Sequence, residues 1–106
     1  MRVLFDQGTP APLRQFLSQH TIATAYESGW STLKNGELLR AAESAGFAVP
    51  VTTDTNLKYR QNLESRHIAI VVLGTTSWPR IEAAAEQVVQ AVDRAGSGSC
   101  TEVRVP

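Results

Sequence analysis

The sequence predicts an α/β fold, a three-layer α/β/α sandwich with a mostly parallel central sheet. Three observations carry that expectation. Short apolar runs alternate with helical stripes in the order β-α-β-α-β-α-β-α-β, the pattern of crossover-connected strands. Ile68 to Leu73 is an unbroken apolar run, as suits a strand covered on both faces. Ile81, Ala84, Ala85, Val88, Val89 and Val92 recur at i, i+3, i+4, i+7 spacing, the stripe of an amphipathic helix.

Taken in order, Val3-Leu4-Phe5 is a short buried strand. Gln7-Gly8-Thr9-Pro10 breaks it, and Thr9 with Pro10 opens a helix. Leu13, Phe16 and Leu17 place that helix near residues 11–19. Thr21 to Ala25 is rich in β-branched residues and reads as the second strand. Residues 26–34 read as a loop with Gly29 at its middle. Asn35 is a good N-cap for a helix carrying Leu38, Leu39, Ala41, Ala42 and Ala45, and Gly46 is its stop. Phe47 to Thr53 is the third strand; Pro50 removes a ladder donor there and argues for a bulge or one exposed side. Asn56 to Leu63 reads as a short helix. Trp78-Pro79 opens the longest helix, residues 79–95, and Thr101 to Val105 alternates as a terminal edge strand.

The length of 106 residues makes residues 1–106 one domain with a single core. Ten basic residues balance ten acidic ones, so the strongly basic footprint of a protein that wraps nucleic acid is absent. An enzyme touching a few phosphates stays open. Cys100 is the only cysteine, which excludes an intramolecular disulfide and a thiolate metal cage. The amino terminus meets an acid at Asp6 and lacks the apolar run of a signal peptide. No stretch is long enough to span a bilayer. A soluble cytoplasmic protein with no membrane partner is the expectation.

In such a fold the carboxyl ends of parallel strands line one crevice. Asp6 follows the first strand, Asp54 follows the third, and Glu37 stands at a helix start. Acids gathered on one rim repel, and a hard divalent cation such as Mg²⁺ or Mn²⁺ removes that cost. Such a metal orients and deprotonates water and stabilises charge on a phosphodiester. Each acid also has a plainer reading. Asp6 serves a turn, Asp54 an Asx-turn or N-cap, and Glu37 the helix dipole. His20 and His67 precede strands at the opposite rim, where they read as loop histidines. Trp30 and Trp78 read as core or rim packing, with base stacking as the alternative for Trp30. Lys58 and Arg60 give a partly basic surface beside Asp54, either a solvated helix face or a contact for a phosphate backbone.

Val3-Leu4-Phe5-Asp6-Gln7-Gly8-Thr9-Pro10, then Asn35-Gly36-Glu37-Leu38-Leu39, then Val51-Thr52-Thr53-Asp54-Thr55-Asn56-Leu57, resembles the small bacterial PIN-like proteins. Ala25 to Trp30 and Tyr59 to Leu63 look like one subgroup of that family. The resemblance covers roughly residues 2–80. It implies a metal-dependent ribonuclease cleaving single-stranded RNA, often the toxin of a toxin–antitoxin pair. It also implies Asp6 and Asp54 as the metal-facing acids, with Glu37 completing the shell. Asn35, Asn56 and Glu27 would support the site, and Lys58 and Arg60 would hold RNA. The chain departs from the family pattern at Asn35 and Asn56, where many relatives carry acids. Those amides motivate an alternative, a catalytically degenerate PIN-like module binding RNA or a partner protein such as an antitoxin-like protein. A third reading is a plain scaffold or a homodimerising domain, with the alternating terminal strand as a pairing edge.

Overall fold

A computed structural model describes residues 1–33, 36–53, 67–96 and 98–105. Nine elements follow one another among these residues. They are β1 (Arg2–Phe5), a 3-10 helix (Ala11–Leu17), β2 (Thr21–Thr24), α1 (Gly36–Ser44), β3 (Val49–Thr52), β4 (Ile70–Val72), α2 (Trp78–Ala83), α3 (Ala85–Asp93) and β5 (Cys100–Glu102). The helix expected at Asn56 to Leu63 lies outside the described residues.

The strands form one sheet in the order β2-β1-β3-β4-β5, and every pairing is parallel. The unbroken apolar runs pack on both faces, as the sequence requires. Val3, Phe5, Val49, Val51, Val71, Leu73 and Val103 face the 3-10 helix, α2 and α3, and meet Leu13, Leu17, Ile81, Val88 and Val92. On the other face Leu4 packs with Ala42 and Phe47, while Ile70 and Val72 pack with Leu39. The result is the three-layer α/β/α sandwich.

The first helix is 3-10 rather than α, with Leu13 N–H bonded to Pro10 C=O at 3.1 Å. Pro10 and Pro12 bracket its start, and Pro12 has no N–H to give a longer-range bond. The long helix expected over 79–95 breaks at Ala84, whose φ of -106° and ψ of 16° leave the helical region. Its N–H is shared between the carbonyls of Arg80 and Ile81. The apolar stripe survives the break, because Ile81, Ala84, Ala85, Val88 and Val92 are all buried.

Pro50 makes neither a bulge nor an exposed side. It is buried in a central strand, opposite Leu4 of β1. Val51 C=O accepts from Asp6 N–H on the β1 side, and Thr52 C=O accepts from Leu73 N–H on the β4 side. Even-numbered residues of β3 therefore address β4. Ala69 N–H already bonds Ala48 C=O at 2.9 Å, so the N–H that Pro50 lacks leaves a gap within the β3–β4 ladder, and regular pairing resumes at Val51.

The β1–β2 and β4–β5 crossovers run in opposite directions across the sheet, yet their helices lie on the same face. The two crossovers therefore have opposite hands. No helix among the described residues is long and apolar enough to cross a membrane.

Candidate functional site

Strand order reverses between β1 and β3, since the chain leaves β1 for β2 on one side and later places β3 on the other. In open parallel sheets the crevice at such a reversal, outside the carboxyl ends of the strands, is where ligands bind. Asp6 is the first residue beyond β1 and stands at this place. Its backbone N–H donates to Val51 C=O of β3 at 3.0 Å.

Its carboxylate is held from two sides. Oδ1 accepts from Thr9 N–H at 3.0 Å and lies 2.7 Å from the Thr9 hydroxyl. Oδ2 accepts from the Thr52 hydroxyl at the end of β3. The Thr9 hydroxyl also lies 3.0 Å from Val51 C=O. Thr9 and Thr52 are the buried polar residues of the described chain, and both serve Asp6. An ionised carboxylate offers about four lone-pair directions. Among the described residues three donor groups face it, and one direction on Oδ2 has no described partner.

The Gln7-Gly8-Thr9 turn is pressed against β3. A Cβ on Gly8 would collide with the Thr53 hydroxyl and come 3.6 Å from the Thr53 Cβ. Glycine at this position lets the loop approach the strand closely enough for Thr9 to reach Asp6.

Glu37 is exposed in the first turn of α1, where an acid complements the helix dipole. After α1 the chain reaches Ala48, whose N–H bonds Arg2 C=O at the start of β1. The helix therefore begins at the rim where Asp6 lies. The structure places Asp6 and Glu37 on one rim without a bond between them. Among the described residues no group of three or more His, Cys, Asp or Glu gathers as a metal cluster. Asn35, Asp54, Asn56, Lys58 and Arg60 lie outside the described residues.

Glu27 follows β2 on the same rim and is committed to local partners. Thr24 and Glu27 form a reciprocal box, Thr24 N–H to Oε1 at 2.9 Å and Glu27 N–H to the Thr24 hydroxyl at 3.0 Å. Arg14 pairs with the carboxylate at 3.1 Å. The Arg14 hydrogen bond, then the Thr24 N–H, hold the Glu27 carboxyl below its ordinary value.

Trp30 sits edge-to-face on Phe47, with centroids 5.9 Å apart and an interplanar angle of 79°. It is a packing residue. Among the described residues the exposed aromatic of this rim is Tyr26, 77% accessible. Tyr26 follows Ala25, whose N–H bonds Phe5 C=O beside Asp6. Trp78 leans on Phe16 at the other helical layer. At the opposite edge His20 contacts Asp93 at 2.7 Å, and His67 N–H donates to the Glu43 carboxylate.

Sequence reasoning missed Thr9, Thr52 and Tyr26. The threonines had a signal. A Thr three residues after an Asp closes a local turn, and a Thr at a strand end can reach the neighbouring strand end. Tyr26 had none, because exposure depends on which aromatic of the loop packs inward.

A scan against protein-family models finds no match, and searches of curated proteins and of solved structures find none. The fold and site define a class by themselves: a parallel three-layer α/β/α sandwich with a carboxylate fixed where the strand order reverses.

Proposed function

We propose that the protein is a PIN-like, Mg²⁺- or Mn²⁺-dependent ribonuclease that cleaves single-stranded RNA in the cytoplasm. The observation that carries this reading is the placement of Asp6, a carboxylate clamped by Thr9 and Thr52 at the ligand crevice of the sheet. A group fixed in advance needs no reorganisation when charge develops. Oxygen donors suit a hard cation, and the open direction on Oδ2 gives it a place to attach. Asp54 and Glu37 complete the acidic set, with Asn35 and Asn56 supplying amide oxygens. The cation supplies charge neutralisation at the phosphodiester and an activated water. Lys58 and Arg60 hold the RNA backbone. Glu27 acts from a distance, pinning the turn beyond β2 through Arg14 and Thr24. The toxin role follows from this reading, with an antitoxin-like protein as the partner.

A second reading has its own observation. Three donors already occupy the Asp6 carboxylate, and amides stand at positions 35 and 56. An acid used as a lock between β1 and β3 describes a degenerate module that binds RNA or a partner protein without cleaving.

Mn²⁺ titration by calorimetry, with cleavage of single-stranded RNA, separates the two. The nuclease reading expects Mn²⁺ binding that Asp6→Asn with Asp54→Asn abolishes, and cleavage lower by about 100-fold. Folded wild type that binds no Mn²⁺ makes the degenerate module the function. Unchanged metal-dependent cleavage in the double variant overturns the metal assignment.

A further inference from the structure

An edge strand carries main-chain N–H and C=O groups with no strand to meet them, and such an edge is a template for another chain. On one side the sheet ends at β2. Thr21 and Ala25 direct their N–H groups to the carbonyls of Met1 and Phe5, so Ile22 and Thr24 direct theirs away from the sheet. Three of those outward groups are occupied by residues that belong to no strand. The Ile22 carbonyl accepts from Arg14 Nη2 at 2.6 Å. The Thr24 N–H donates to Glu27 Oε1 at 2.9 Å, and the Thr24 carbonyl accepts from Ser28 N–H at 3.1 Å.

The arrangement has the polarity of a strand. One residue of a parallel neighbour, opposite Ala23, would donate its N–H to the Ile22 carbonyl and accept from the Thr24 N–H through its C=O. Arg14 supplies that donor and Glu27 that acceptor, and Arg14 Nη1 joins the two by donating to Glu27 Oε2 at 3.2 Å. Both are held in place locally. Arg14 lies on the 3-10 helix that Leu13 and Leu17 anchor in the core. Glu27 lies in the turn after β2, where its N–H donates to the Thr24 hydroxyl. β2 itself reads Thr21-Ile22-Ala23-Thr24, without the charged residues or proline that keep edge strands apart. Its protection comes from outside the strand.

We propose that the Arg14–Glu27 pair substitutes for a sixth strand and so keeps β2 from pairing with the β2 of a second copy of this chain. With the pair removed, two β2 strands meet antiparallel about a two-fold axis at Ala23. That register sets Ile22 of one copy opposite Thr24 of the other, where both residues point their N–H and C=O outward. A two-fold axis demands a self-complementary surface, and an uncharged strand centred on Ala23 is one. No like charges face each other across it, and its β-branched residues suit a ladder. An exposed ion pair adds little to stability, so variants without it are expected to fold.

Light scattering on a gel-filtration column, over a concentration series, tests this. Arg14→Ala with Glu27→Ala is expected to rise with concentration to twice the wild-type mass. The exchange Arg14→Glu with Glu27→Arg keeps an ion pair but turns an acceptor toward the Ile22 carbonyl and a donor toward the Thr24 N–H. It is expected to associate as well, which a purely ionic role would not produce. Adding Thr24→Pro to the double alanine variant removes an outward N–H without touching the bonds to β1, and is expected to return the mass to that of wild type. Circular dichroism confirms that each variant is folded. Amide hydrogen exchange reads the cover at one residue: the Thr24 N–H is expected to be protected in wild type and to exchange about ten-fold faster in Glu27→Ala, with Ala25 unchanged. A double alanine variant or an exchanged pair that keeps the wild-type mass at the highest soluble concentration overturns the proposal. So does association that survives Thr24→Pro, or a Thr24 N–H that exchanges freely in wild type.

Discussion

Asp6 shows how one side chain can serve fold and site together. Its backbone extends the β1–β3 ladder, and its carboxylate gathers a loop hydroxyl, a loop N–H and a strand hydroxyl. The arrangement depends on Gly8, because the loop must lie against Thr53. The constraint is steric: it comes from a crowded neighbour and not from backbone angle. Gly8→Ala is expected to cost about 1–3 kcal/mol, as overpacking does. Urea unfolding measures it, and adding Thr53→Ala is expected to recover most of the loss. A Gly8→Ala variant as stable as wild type would show that the loop has room to move. The position of Asp6 was legible in the sequence because a short polar residue at the end of an apolar run stands out. Its partners were less so. Thr9 and Thr52 are ordinary residues of a turn and a strand until the pairing of β1 with β3 brings them together.

At the scale of elements, the strands and α1 were readable because their apolar spacing is unambiguous. The helices around the two prolines and the alanine run were not. Periodicity is blind to the difference between one long helix and two aligned ones, since the break at Ala84 keeps the buried stripe in place. The placement of α2 and α3 was also out of reach. A shared crossover hand would send them to the α1 face. The short 3-10 helix supplies only Leu13 and Leu17 to its own face, however, and α2 and α3 close the rest. Edge strand β2 carries the clearest element-scale prediction. Its cover is the Arg14–Glu27 pair, and Arg14 holds the Glu27 carboxyl below its ordinary value of 4.5. A depressed carboxyl stabilises the fold above its unfolded value, and that contribution is lost as pH falls through the lower folded value. An NMR titration of the Glu27 carboxyl is expected to give a midpoint below 4.5 in wild type. Arg14→Gln is expected to move it upward, because the largest cause of the shift is removed. An unchanged midpoint would mean that Thr24 alone sets it. The pair is exposed, so its contribution to stability is small and falls with salt.

For the molecule as a whole, the proposed ribonuclease reading meets a limit in charge balance. Ten basic and ten acidic residues leave no surplus to spread along a backbone, and Lys58 and Arg60 are the two cations placed beside the acids in the sequence. Affinity for a single strand falls with salt by a slope of about -0.7 per phosphate neutralised. Two contacts therefore give a slope of about -1.4 in log affinity against log salt. Replacing Lys58 with Ala is expected to lower the magnitude of that slope by about 0.7. A slope several times steeper would require a basic surface that this composition does not hold, and would place RNA elsewhere on the chain. The shallow slope also assigns the rest of the work. With few phosphates held, the register of a cleaved strand would depend on contacts near the rim. Among the described residues Tyr26 is the large exposed aromatic there, and its ring would offer a base a stacking face that salt does not screen.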